Sequence, residues 1–266
     1  MDKFLKGKVA LVTGAGADGF GREMALSFAS KGADIIINDI NEKGLEETRD
    51  LILKDYQVEV LLAKADVSKF DEVKEMAKDA FEKFDNVFIL VNNAGTQEGG
   101  LQSLKTKEKY YDKIMAVNLK GVWNVSRAFF RKMKSQREIK PIRGKIINIA
   151  SCAGVINSIN PMIGVYSVSK AGVIAFTKLW ALELGPSDIT VNAISPGVFI
   201  SPMYNNDPKQ ARQFLESRNV KLPIDRIGEK KDVANVALFL ASPAADYITG
   251  QNIILDGGMT VSINKL

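Results

Sequence analysis

The chain has no histidine among its 266 residues and a single cysteine, Cys152. The first absence removes the commonest proton-transfer side chain and excludes a Ser-His-Asp mechanism. Together with the lone thiol it leaves no ordinary zinc site, so no metal is expected. One cysteine cannot form an internal disulfide, which agrees with a reducing, cytoplasmic setting. No apolar run is long enough to span a bilayer, and no membrane partner is expected. Met1–Lys8 is charged and lacks an apolar core, unlike a secretory signal. Repeats, low-complexity stretches and an obvious linker are missing as well. A length of 266 residues with mean hydropathy near zero suits one domain, residues 1–266, with a substantial core.

Net charge is +5, and most cations alternate with acids as on a solvated surface. The exception is the run Arg131, Lys132, Lys134, Arg137, Lys140, Arg143 and Lys145, which is opposed only by Glu138. No aromatic residue interleaves there to stack bases. A solvated helix end and loop is favoured over a nucleic-acid patch.

Apolar runs rich in Ile and Val alternate with amphipathic stretches from start to finish. The pattern predicts strands at Val9–Thr13, Asp34–Asn38, Glu59–Ala63, Val87–Asn92, Lys145–Ala150, Thr190–Ser195 and Asn252–Leu255. It predicts helices at Gly21–Lys31, Glu42–Leu53, Phe70–Phe84, Lys107–Met133, Gly164–Leu184 and Lys230–Leu240. Continuous apolar strands are buried on both faces. Repeated strand–helix units then give an α/β fold, a doubly wound parallel seven-stranded sheet with helices on both faces. Pro196–Arg226 reads as the one long irregular stretch, with a substrate lid over about 199–222.

What the chain has in place of imidazole is Tyr166 and Lys170, four residues apart on one helix face. An ammonium beside a phenol stabilises the phenolate, by about 2–3 pKa units in favourable cases. The expectation is a tyrosine able to exchange protons near neutral pH. Alone the pair is weak evidence, since a tyrosine stem packed under a surface lysine has the same spacing.

Upstream, Thr13-Gly14-Ala15-Gly16-Ala17-Asp18-Gly19-Phe20-Gly21 joins the first strand to the first helix. Glycines let backbone approach a pyrophosphate, and the helix terminus offers N–H donors. Asp39, ending the second strand, can accept from adenosine ribose hydroxyls and would repel a 2′-phosphate. Asp18 adds to that repulsion, so NAD is expected over NADP. Asp66, with Val67, follows the third strand. It either contacts adenine or caps the next helix through Asp66-Val67-Ser68, with neither reading preferred.

These residues, taken in order, resemble the short-chain dehydrogenase/reductase family over nearly the whole chain. Asn92-Asn93-Ala94-Gly95 is similar to that family's Asn-Asn-Ala-Gly after the fourth strand. Asn118 matches its catalytic asparagine, Ser151 its catalytic serine, and Tyr166 and Lys170 its catalytic pair. Asn192–Gly197 matches the segment beside the nicotinamide, and Asp256-Gly257-Gly258 the family's ending. The resemblance implies a Rossmann-type sheet and an NAD-dependent hydride transfer between a secondary alcohol and a ketone. It places Gly14, Gly19, Phe20, Gly21, Asn93, Ala94, Gly95, Pro196, Gly197, Phe199 and Ser201 against the cofactor. It also implies that Lys170 holds the nicotinamide ribose, that Asn118 interrupts its helix to anchor a water, and that the chain forms a homotetramer. Four residues rather than three separate Gly14 from Gly19-Phe20-Gly21. Ala150 replaces a common serine, Phe88 a frequent aspartate and Ser201 a threonine. The Ser151–Tyr166 spacing is slightly long for the family.

Apolar pocket walls are expected from Val155, Ile156, Met162, Ile163, Phe199, Met203 and Phe214, all of which suit a core equally well. Gln97, Glu98, Asn157 and Asn160 read as solvent-facing before they read as hydroxyl ligands. The lid cations Lys209, Arg212, Arg218 and Lys221 read as solvated before they read as bait for an anion. A preference for NAD favours oxidation, because cellular NAD is mostly oxidised. The expectation is a polyol, sugar or related hydroxy compound, with 3-oxoacyl thioester reduction as the alternative. A sugar-nucleotide epimerase would carry an added substrate domain. A non-catalytic NAD sensor would lose the Tyr/Lys pair.

Overall fold

Consecutive strand residues point to opposite faces, and in residues 9–12, 35–37 and 89–91 both sets are apolar and buried, so both faces of the sheet must be covered. The computed structural model describes residues 3–98, 102–136, 141–156, 164–200, 206–217 and 220–262. Its strands are β1 (Val9–Thr13), β2 (Asp34–Asp39), β3 (Val60–Lys64), β4 (Ile89–Asn92), β5 (Gly144–Ile149), β6 (Ile189–Pro196) and β7 (Asn252–Leu255). They form one seven-stranded sheet in the order β3-β2-β1-β4-β5-β6-β7. Every pairing is parallel, with Val9 opposite Asp34 and Ala10 opposite Ile89 fixing the register around β1.

The helices are α1 (Phe20–Ser30), α2 (Glu42–Asp55), α3 (Phe70–Lys83), α4 (Glu108–Met115), α5 (Gly121–Ser135), α6 (Gly164–Leu184), α7 (Pro208–Glu216), α8 (Lys230–Ala241) and α9 (Met259–Ser262). Two buried clusters sandwich the sheet. One joins Ala10, Val12, Ile35 and Ile37 to Met24 and Phe28 of α1, Leu45 of α2 and Val233 of α8. The other joins Leu11, Ile36 and Leu90 to Val73 of α3, Phe129 of α5 and Trp180 of α6. Burying each large apolar side chain contributes about 1.5–3 kcal/mol. Among the described residues, no helix is long and apolar enough to cross a membrane.

Two expectations are refined locally. The helix expected over Lys107–Met133 is helical from Glu108 to Ser135, but between α4 and α5 it widens into a π-helical turn at Ala116–Lys120, with Asn118 fully buried inside it. Such turns disrupt the backbone ladder and aim a side chain. The stretch Pro196–Arg226 is not irregular throughout, because it contains α7. Asp207 caps that helix by accepting from the Lys209 N–H at 2.8 Å, Pro208 stands at its first position, and Ala211 and Leu215 bury its inner face.

Candidate active site

The strand order reverses between β1 and β4, and the loops leaving those strands open a crevice at the carboxyl edge of the sheet. Gly14 leaves β1 with φ +67, and a Cβ there would stand 2.8 Å from the Ala94 Cα. A Cβ on Gly21 would stand 2.2 Å from the Gly14 carbonyl oxygen. Only glycine fits at either position. Asn93 fastens the two loops together, its Nδ2 donating to the carbonyls of Thr13 at 2.8 Å and Gly14 at 3.0 Å. The Thr13 hydroxyl accepts from the N–H groups of Asn93 at 2.9 Å and Ala94 at 3.1 Å. Asn93 is thus a brace within the protein. Thr13 is its partner, a role the sequence motif alone does not reveal.

Gly19 precedes α1 in extended backbone, and no side chain caps that helix. Its first N–H groups lack the usual Ser, Thr, Asp or Asn oxygen, which leaves the donor set that an anionic pyrophosphate satisfies. Asp39 stands beside this loop and accepts from the N–H of Gly16 at 2.9 Å and of Asn41 at 3.0 Å. Each carboxylate oxygen keeps a further lone pair for a ribose hydroxyl. Asn41, not Asp39, caps α2, accepting from the Gly44 N–H at 3.2 Å. The residues present therefore fit a dinucleotide.

Asp18 does not join Asp39. It points toward the start of α8, where the Lys230 ammonium lies 2.6 Å from its Oδ1. The longer glycine loop carries it there, so its expected repulsion of a 2′-phosphate is withdrawn. Asp66 accepts from the N–H and hydroxyl of Ser68 at 2.9 and 2.7 Å, a turn ahead of α3 rather than a cap on it, since no side chain caps that helix at Lys69. Val67 is 6% exposed and packs against Gly121. Pro196 closes β6, and the Gly197 N–H donates to the Leu255 carbonyl at 2.9 Å. Phe20 and Phe199 meet edge to face, ring centres 5.4 Å apart, and bury Phe199. Val155 is exposed. Ser201, with Met162, Ile163, Met203, Asn157, Asn160 and Arg218, lies outside the described residues.

The four candidate catalytic side chains converge at the end of β5. The Lys170 Nζ donates to the Ile149 carbonyl at 2.8 Å and sits 5.7 Å from the Tyr166 ring centre. The side chains of Ser151 and Tyr166 hydrogen-bond to each other. Asn118 clamps the loop after β4: its Oδ1 accepts from the Thr96 N–H at 2.7 Å and its Nδ2 donates to the Thr96 carbonyl at 2.9 Å. The same Nδ2 donates to the Ser169 hydroxyl at 3.2 Å, tying the clamp to α6. A Cβ on Gly95 would stand 3.4 Å from Asn118 Oδ1 and 3.5 Å from Lys170 Nζ, so three separate segments meet there. Behind them, Asn92 donates to Ser126 at 3.0 Å and to Asn148 at 2.8 Å, and Asn148 donates to Thr177 at 2.9 Å. That buried polar network was missed in sequence, where asparagines in an apolar strand give no sign of being partnered.

One electrostatic expectation is reversed. Burial pushes the Tyr166 phenol up to about 12, and the Ser151 hydrogen bond offsets this only in part. Burial likewise pushes the Lys170 ammonium down to about 8. Both charges resist a dehydrated site, and the ammonium faces a carbonyl rather than the phenol oxygen. Cys152, beside Ser151, is pushed up to about 11 by burial, which keeps it an unreactive thiol.

A family model described as Enoyl-(Acyl carrier protein) reductase matches residues 14–260. The chain is 40% identical over 262 residues to the 3-oxoacyl-[acyl-carrier-protein] reductase FabG of Thermotoga maritima, covering 97% of this chain and 99% of that protein. It is 37% identical over 258 residues to the (2S)-[(R)-hydroxy(phenyl)methyl]succinyl-CoA dehydrogenase subunit BbsD of Thauera aromatica, covering 97% and 98%. Among solved structures, levodione reductase superposes with a TM-score of 0.89 at 30% identity, covering 97% of this chain and 99% of that one.

Proposed function

The chain belongs to the short-chain dehydrogenase/reductase family, and on that footing we propose that it reduces a 3-oxoacyl thioester to the hydroxyacyl form with NADH. The single observation carrying the chemistry is the convergence of Tyr166, Ser151, Lys170 and Asn118 at the end of β5, with the Tyr166 hydroxyl against Ser151. A neutral phenol is ready to give a proton to an oxygen gaining negative charge. Ser151 donates a second hydrogen bond to that oxygen. A bound nicotinamide supplies the hydride. Lys170, held by the Ile149 carbonyl, carries the charge that returns a proton to Tyr166. Asn118 fixes Thr96 and Ser169 so that Gly95, Lys170 and Tyr166 keep their separations.

Support for the substrate comes from the relatives, whose names describe an oxo or hydroxy group on an acyl chain carried by a protein or by CoA. The polyol and sugar reading has no such support. NADH is proposed over NADPH because the Asp39 carboxylate, braced beside the glycine loop at the end of β2, would repel a 2′-phosphate brought to that loop. The helix α7 buries Ala211 and Leu215 in a cluster with Cys152, Val198, Ile227 and Met259, which anchors it next to the site. Self-association is proposed through α4, α5 and α6. Met115, Ala116, Leu119, Trp123 and Phe176 line an apolar hollow of about 520 Å³ there, a surface that light scattering would test as an interface.

The deciding experiment follows nicotinamide absorbance with 3-oxoacyl-CoA substrates, 3-hydroxyacyl-CoA, polyols and sugars, each with both cofactors. Fast NADH oxidation with the 3-oxoacyl thioester is expected. Turnover confined to polyols or sugars would refute the substrate reading, and cofactor binding without any turnover would favour a sensor.

A further inference from the structure

The longer glycine loop places a carboxylate, Asp18, one residue before the uncapped N-terminus of α1. That terminus attracts anions, so a free Asp18 would compete with the pyrophosphate drawn to the same N–H groups. Lys230, the first residue of α8, answers it at 2.6 Å, and the lysine side chain is mostly buried while Asp18 is the more exposed partner. Asn206, before α7, also reaches Asp18 Oδ2, at 3.5 Å.

The same turn of α8 anchors the lid. Arg226 grips Asp232 of α8 with two hydrogen bonds, at 2.6 and 2.9 Å. Arg212 of α7 pairs with Asp225 at 2.8 Å. Glu229 and Asp232 close a capping box that fixes where Lys230 starts. Ion pairs therefore run from the lid helix through the first turn of α8 to the glycine loop. Phe20 against Phe199 makes a second, apolar join between the same two regions.

We propose that Lys230 is a positioning residue for dinucleotide binding: it holds the Asp18 carboxylate aside and balances its charge while keying the lid's return limb to the glycine loop. It acts on the cofactor through Asp18. This rests on the dinucleotide reading above, and a bound NADH is the probe for both.

The test is a charge cycle read by NADH fluorescence titration at low and high salt. Lys230→Met should weaken NADH about 10-fold, the size expected for one unmasked charge acting over several ångströms at a partly exposed site. The loss should shrink as salt rises. Lys230→Arg should keep the affinity. Adding Asp18→Asn to Lys230→Met should restore it to within about threefold, since the charge to be held aside is gone. Asp18→Asn alone should bind as tightly as the unaltered protein or tighter, which keeps the proposal falsifiable should Lys230→Met fail to fold. Unchanged affinity in Lys230→Met, failure of the double variant to recover, or weaker binding in Asp18→Asn would each overturn the proposal. Absence of NADH binding in the unaltered protein would overturn the dinucleotide reading with it, a distinct outcome from binding that ignores Lys230.

Discussion

Replacing Asp39 by Asn tests the cofactor preference with little change of shape. Asp39 accepts from Gly16 at 2.9 Å and from Asn41 at 3.0 Å, so its oxygens are aimed and cannot swing away from an incoming ligand. A phosphate on the ribose hydroxyl that this carboxylate would accept from stands about 4–5 Å from the negative charge. At an effective dielectric near 20, each unit of phosphate charge then costs about 3–4 kcal/mol. Partial exposure of Asp39 and screening reduce the discrimination to about 2–3 kcal/mol, or roughly 10²-fold in kcat/KM. Asp39→Asn should raise the NADPH-to-NADH ratio of kcat/KM by that factor. It should also lower stability by about 1 kcal/mol, because the new amide presents a donor to one of two backbone N–H groups. The assay is steady-state kinetics with both cofactors on the same thioester, with a thermal melt to verify folding. An unaltered protein that prefers NADPH, or a ratio unmoved in a folded Asp39→Asn variant, would refute the reasoning.

Three further outcomes follow from the geometry. Tyr166→Phe should lower kcat about 10²–10⁴-fold while leaving NADH affinity within a few-fold, by kinetics and fluorescence titration; turnover near the unaltered rate would remove Tyr166 as the proton donor. Lys170, pushed down to about 8 from an ordinary 10.5, sheds its proton in the folded state first, so between pH 8 and 10 the unfolded chain binds more protons. Stability should rise across that window by up to about 1.4 kcal/mol per pH unit in denaturant titrations, and the rise should vanish in Lys170→Met. On the opposite sheet edge, Lys145 is buried with its Nζ 2.6 Å from Asp246 and 2.8 Å from the Ser242 carbonyl. Asp246→Ala should cost about 3 kcal/mol in chemical unfolding by stranding that charge, and adding Lys145→Met should recover much of it.

The fold was legible because its signals are local. Val9–Thr13, Asn252–Leu255 and Gly164–Leu184 carry apolar periods that packing reinforces, and their observed limits coincide with the expected ones. The helix α7 was not read, since only Ala211 and Leu215 mark its buried face in a polar stretch. Asp207-Pro208, a cap followed by proline at the first helical position, was the signal available. The break at Asn118 was anticipated only through the family resemblance. Nothing in Ala116–Lys120 taken alone distinguishes a π-helical turn from a continuous helix, because the turn answers to Thr96 and Ser169 across space.

The reversed tyrosine shows where such reading stops. Spacing of four residues fixes that Tyr166 and Lys170 share a face, and they do, with the ammonium 5.7 Å from the ring centre. Spacing says nothing of what the ammonium donates to, or of how much water the pair retains. Here Lys170 turns to the end of β5, and desolvation outweighs an attraction weakened by distance. The pH at which each role is filled moves with it: a phenolate removes an alcohol proton in oxidation, a phenol gives one in ketone reduction, and a raised value widens the range over which the phenol is present. A pH profile of the reduction rate that falls as Lys170 loses its proton near pH 8, while Tyr166 stays protonated, is the signature that separates the two. A reduction rate flat through pH 8, beside a reverse oxidation rate that rises with pH there, would return the tyrosine to the role of base.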